Sequence, residues 1–144
     1  LRQRLNDIKQ YLVFEVPKAQ LPGEGPGDYS FFHEQAIFET PFVLSQGIDS
    51  LEFVHNAMRM DAMVRYSDIS VKCIGLQHPS PQLLSATYLF TAKNRLGHYV
   101  RRRQHCQFYL NLSGQIVHEL ETVDEASEVF ATAFRRVGGR LWIW

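Results

Sequence analysis

Between residues 66 and 123 the side chains change period. Before this stretch apolar residues recur at helical spacing, and within it they alternate with polar ones every second position. A chain whose strands cluster after its helices has no βαβ units from which to wind a parallel sheet, so a doubly wound fold is disfavoured. Strands are predicted near 67–77, 83–93, 98–111 and 115–123. The joining pieces, Gln77 to Gln82, Asn94 to Gly97 and Leu112 to Gly114, carry the Pro, Asn and Gly of hairpin turns. The expected class is α+β, with helices packed on one concave face of a curved antiparallel sheet, a cone whose wide end leaves room for a pocket.

The helical part is shorter. Leu1, Leu5, Ile8 and Leu12 line one face of a helix over residues 1–16, which Pro17 is expected to stop. Residues 17–27 read as a Pro/Gly loop. The GEGPGD run within it lacks the third glycine and the Lys-Ser/Thr step of phosphate-binding loops. Asp28 is placed to cap a turn, and Ala36 to Glu39 read as a brief strand ended by Pro41. Asp49 and Glu52 have capping-box spacing before a helix over 49–64. Its apolar face would hold Leu51, Val54 and Met58, with Phe53, Ala57, Met60 and Val64 beside them, the methionines serving as core filling. After the cone, Asp124 is expected to cap a last helix striped by Ala126, Val129, Phe130, Ala133, Phe134 and Val137. An aromatic tail, Leu141-Trp142-Ile143-Trp144, closes residues 124–144.

Composition bounds the function. In 144 residues, 45% hydrophobic and 12% aromatic, there is material for one well-buried core, centred on residues 28–123. Fifteen Lys and Arg balance fifteen Asp and Glu, so no net field draws the chain to nucleic acid. Its apolar runs are far short of the roughly 20 residues of a membrane span. Two cysteines, Cys73 and Cys106, make no disulfide framework and suggest a reducing compartment. The start at Leu1 reads as a processed product whose targeting segment is gone.

Asp28-Tyr29-Ser30 with Phe38 eight residues on, Gly47-Ile48-Asp49, and Phe108-Tyr109-Leu110-Asn111 followed by Ser113-Gly114 and Ile116 resemble DUF2358, an uncharacterised family of the NTF2-like superfamily. The resemblance spans residues 28–123. It departs at Val123, where relatives commonly carry an aromatic residue, and in the extension after Asp124. The superfamily, which includes ketosteroid isomerases and polyketide cyclases, implies an NTF2-like cone. The family implies an organellar location, mitochondrial before plastid, and defines no activity.

Candidate chemistry depends on placement. If Gly114 takes the left-handed position of a three-residue loop, Asn111 pairs with Gln115, and regular alternation then sets Cys106, Phe108 and Leu110 on one face with Ile116, His118 and Leu120. On that reading the pocket candidates are Tyr88, Phe90, Gln104, Cys106, Phe108 and His118, with His118 the one candidate acid or base. Glu119 and Glu121 would point away. His33, His55, His78, His98, His105 and His118 show no metal-ligand spacing, so neither metal nor cofactor is expected. The other sheet face offers Tyr99, Arg101, Arg103 and Tyr109, which with Trp142 and Trp144 make a candidate partner interface; the tail docks either on a partner or on its own cone. These features favour a non-catalytic accessory subunit of an organellar assembly, or a homodimer through the sheet. The alternatives are an isomerase- or cyclase-type small-molecule protein and, more weakly, RNA binding through the same Tyr and Arg face.

Overall fold

The computed structural model describes residues 2–21 and 27–123, and the backbone of 141–143. Helix α1 (Arg2–Gln10) runs into a π-helical turn (Tyr11–Glu15) and a short α2 (Val16–Ala19). After β1 (Phe32–Glu39) and β2 (Val43–Gln46) comes α3 (Ile48–Arg65). The meander is next: β3 (Tyr66–Ser80), β4 (Leu83–Asn94), β5 (Tyr99–Leu110) and β6 (Ile116–Val123), with β7 (Leu141–Ile143) last. The described strands form one sheet in the order β3-β4-β5-β6-β1-β2-β7. The α+β cone expected from the sequence is present.

The sheet is mixed, however, and not wholly antiparallel. β1 runs parallel to β6, and β7 runs parallel to β2. The reason is topological: the meander ends on β6 with a free edge, and the earlier β1–β2 hairpin supplies the strand that covers it. The tail backbone docks on its own sheet, Leu44 opposite Trp142. The helix expected after Asp124, the side chain of Trp142 and the whole of Trp144 lie outside the described residues.

Pro17 does not end the first helix. The Val16 N–H reaches back to the Tyr11 carbonyl in the wide π register, and the carbonyl next in line, that of Leu12, would then look to Pro17, which has no N–H. The Tyr88 hydroxyl donates to that Leu12 carbonyl at 2.6 Å. Pro17 thereby starts a fresh helical turn, where its missing donor is tolerated. Ile8, Leu12, Leu51, Leu84, Tyr88 and Phe108 are fully buried between helices and sheet.

α3 begins one residue early. Gly47, at φ 93°, is its N-cap, and no side chain caps it, so the Asp49–Glu52 capping box does not form. Only Ser50, Leu51 and Val54 of α3 are buried; Phe53, Met58, Met60, Met63 and Val64 are exposed. The methionines are therefore not core filling. The core-facing stripe is narrow: Leu51 and Val54 are buried in it, with Ile48 and Ala62 partly buried against the core.

The hairpin chemistry is as read from the sequence. Asn111 Oδ1 accepts the N–H groups of Ser113 and Gln115, and Gly114 takes φ 76°. Past the turn, regular alternation breaks. Leu110 pairs with Ile116, but Tyr109 pairs with His118, so Val117 is an extra residue and the strand is bulged. Every side chain from His118 onward changes face.

If the Tyr88 hydroxyl holds the helix to the sheet, Tyr88→Phe leaves the Leu12 carbonyl buried and unpaired. A loss of about 1–3 kcal/mol in urea unfolding is expected, with the fold retained.

Candidate functional site

The bulge decides which groups enter the cone. With Val117 extra, Phe108 faces Glu119 and Cys106 faces Glu121 across β5 and β6, all on the inner side. Both carboxyls are buried, at 5% and 8% exposure. His118 turns outward, against the sequence expectation, to lie 3.4 Å from Glu39 and against the Tyr109 ring. It is not a pocket residue.

A cavity of about 100 Å³ lies between the sheet and the helices. Phe90, Gln104, Cys106 and Phe108 line it, as does Arg102, the inward member of the arginine triplet. Tyr88 does not; it is sealed in the core beneath the π turn. Tyr11, His55 and Arg59 come from the helical segments, Tyr29 from the loop before β1 and Phe32 from the first position of β1. Tyr99, Arg101 and Arg103 stay exposed on the opposite face with the half-buried Tyr109.

His55 stands one turn beyond Leu51 on α3, so it shares that residue's inward face. Its ring packs edge-on to Phe38, with centroids 4.8 Å apart, and near Tyr29 at 5.7 Å. Nδ1 meets the Tyr29 hydroxyl at 3.0 Å, and Nε2 lies 3.8 Å from Glu119 Oε2. When Tyr29 donates to Nδ1, the ring proton sits on Nε2 and faces Glu119. Desolvation lowers His55 to about 4, so the imidazole is neutral at pH 7.

The two carboxyls are held apart by their surroundings. Burial, reinforced by the neighbouring Glu121, pushes Glu119 well above the carboxylate range. Burial likewise raises Glu121, to about 7, against the pull of the Arg102 guanidinium. Arg102 lies over the Phe90 ring at 4.2 Å. Burial also raises the Cys106 thiol, and it raises Tyr29 to about 12. The cavity thus holds one carboxyl pushed towards its protonated form, a second that titrates near neutral pH and an imidazole pushed towards its neutral form. This is an acid–base set.

Glu119 belongs to the cavity lining, and its buried Oε2 has no hydrogen-bond partner among the described residues. Cys106, Glu119 and Glu121 also place ligand atoms within 4.8 Å of one another, a metal-capable grouping that histidine spacing gave no reason to expect.

Sequence reading missed His55, Glu119, Glu121, Arg102 and Tyr29 as site residues. Arg102 follows from parity with Gln104, and His55 from its spacing to Leu51. The carboxyls needed the bulge.

No protein-family profile matches the chain, and no curated protein matches it. Solved structures do. An NTF2-like protein of unknown function from Cytophaga hutchinsonii superposes with TM-score 0.61 at 8% identity, covering 85% of this chain and 97% of that one. The fold is the NTF2-like cone. A hypothetical protein from Catenulispora acidiphila with a ketosteroid isomerase-like fold, solved with trimethylamine, gives TM-score 0.60 at 5% identity over 83% of this chain and 89% of that one. SalBIII, an epoxide hydrolase/cyclase-like enzyme of pyran ring formation in salinomycin, gives 0.60 at 13% identity over 88% and 94%. At such identities these neighbours share the cone and nothing finer.

Because Glu121 binds its proton more tightly when folded, its contribution is full below the unfolded value near 4.5 and is lost as pH rises through about 7. Glu121→Gln should therefore gain on the wild type between pH 5 and pH 8, by on the order of 1–3 kcal/mol in urea unfolding. His55 runs the other way: its contribution is full above 6.5 and is lost as pH falls through about 4. Nitrogen NMR of the imidazole should show it neutral at pH 6.

Proposed function

We propose that the chain is a small-molecule protein of the proton-transfer class, acting inside the cone on a ligand that hydrogen-bonds Glu119. Glu119 Oε2 carries this reading, because this buried atom of a cavity-lining residue has no hydrogen-bond partner among the described residues and a ligand can supply one. Glu119, whose burial favours the protonated carboxyl, donates its proton to an acceptor on the ligand. Glu121, near its titration point beside Arg102, takes one up. His55 is oriented by Tyr29 and relays or stabilises the charge that develops at Glu119. Isomerisation and ring closure need such paired proton movements without a cofactor. The class has precedent on this fold in the cyclase-like neighbour.

A second reading keeps the accessory-subunit role, in an organellar and first of all mitochondrial assembly, with DUF2358 as the family. The exposed Phe53, Met60, Met63 and Val64 on α3 favour it, since a run of apolar side chains in water marks a contact surface. Tyr99, Arg101 and Arg103 would extend that role to the sheet.

Ligand screening by NMR, followed by turnover assays on the hits, separates the two. Glu119→Gln should lower turnover of a true substrate by about 100-fold or more, the span expected of a general acid. His118→Gln, on the outer face, should change it less than about twofold. Equal losses in both variants, or no ligand in the cavity at all, would return the accessory role to first place.

A further inference from the structure

We infer that the end of the molecule made by the β4–β5 turn and the last turn of α3 docks on an anionic lipid surface. Leu96 enters the headgroup layer there, and a basic stretch of the outer sheet face meets the phosphates. The inference is independent of the cavity and goes beyond the small-molecule reading.

The apolar part is held ready by the turn itself. Asn94 Oδ1 accepts the N–H groups of Leu96 and His98, and Gly97 takes φ 83°, which leaves Leu96 at the tip and 81% exposed. Arg95 Nε donates to the Val64 carbonyl at 2.6 Å and so ties the turn to the end of α3. The exposed side chains of Met63 and Val64 thereby stand at the same end as Leu96. A leucine fixed at a turn tip is stabilised by leaving water, and a turn already ordered loses little entropy when it inserts.

Strand register supplies the charge. Behind the tip, on the outer sheet face, Lys93 pairs with Tyr99, the next row sets Arg101 beside Thr91, and the one after sets Arg103 and Lys72 on either side of Leu89. Lys72, Arg101 and Arg103 are exposed, and Lys93 Nζ lies 5.4 Å from the centroid of the exposed Tyr99 ring. Of the described carboxyls near this end, Asp61 is held by Arg65 at 3.1 Å, and Asp68 follows Ser67, which stands opposite Lys93. The excess of cations is local, because fifteen Lys and Arg balance fifteen Asp and Glu over the whole chain.

The aliphatic tip decides the class of partner. A single-stranded nucleic acid would meet the same cations and could stack a base on Tyr99, but it offers Leu96 and Val64 nothing to bury against. An anionic bilayer serves every part of this end. Its acyl boundary takes the leucine, its headgroup level suits the amphipathic Tyr99 ring, and its phosphates and carboxylates meet the rows of Lys and Arg.

Co-sedimentation of the whole chain with phosphatidylcholine vesicles, with and without about one third phosphatidylserine, tests this. Binding should be about tenfold or more tighter to the phosphatidylserine vesicles and should weaken as salt is raised. Leu96→Ser should weaken it about tenfold, and Arg101→Gln together with Arg103→Gln about 20-fold, with urea unfolding unchanged because these side chains are exposed. Leu112 is the control: it is 86% exposed on the β5–β6 turn, at the opposite end of β5, and Leu112→Ser should change binding less than about twofold. Equal losses in the two leucine variants, equal binding to both vesicles, or binding to neither would overturn the inference. Capture of a polyuridine strand that needs Arg101 and Arg103 but not Leu96 would assign the face to RNA and likewise overturn it.

Discussion

One extra residue in one strand governs this cone. Because side chains alternate with a period of two, the Val117 bulge exchanges the two faces of β6 from His118 onward. Without it the interior would receive His118 and Leu120, an apolar floor with a single imidazole. With it the interior receives Glu119 and Glu121, and the imidazole goes to the outer surface to meet Glu39. The chemistry of the cavity is a matter of register before it is a matter of composition.

That register is costly. Two carboxyls taken out of water beside a thiol are destabilising unless protonated or paired, and a core optimised for stability would not hold them. Arg102 offsets part of the cost at Glu121, and at Glu119 the shift towards the protonated form acts in the same sense. The cost is sustained by the apolar layer around it, where Ile8, Leu12, Leu51 and Phe108 are wholly buried. A cavity that keeps polar groups out of water in an otherwise well-packed interior is a candidate functional site.

The helical layer completes the enclosure by a similar compromise. A proline inside a helix removes a donor, and the π turn shifts that loss onto the Leu12 carbonyl, where Tyr88 reaches it from β4. Arg4 ties the same layer to the β5–β6 turn through the Gly114 carbonyl at 2.9 Å. The segment that covers the cavity is thus fixed to both the middle and the end of the meander, while α3 contributes His55 from its inward face and leaves its outer face to solvent.

Period and turn chemistry determined much on their own. The change from helical to alternating spacing announced an α+β cone, and Asn111 with Gly114 set the hairpin in which Leu110 meets Ile116. The inward set Phe90, Gln104, Cys106 and Phe108 followed from alternation along β4 and β5, where pairing is continuous. Tertiary structure alone decided the rest. The continuation of the first helix through Pro17 required a hydroxyl from a strand 76 residues away in sequence. The parallel pairing of β1 with β6 required the meander to be complete. The bulge has no local signature, because Val117 is an ordinary strand residue. Which face its successors take is settled by where β1 and β5 both grip β6, and a constraint shared among three strands is not written in the sequence of one.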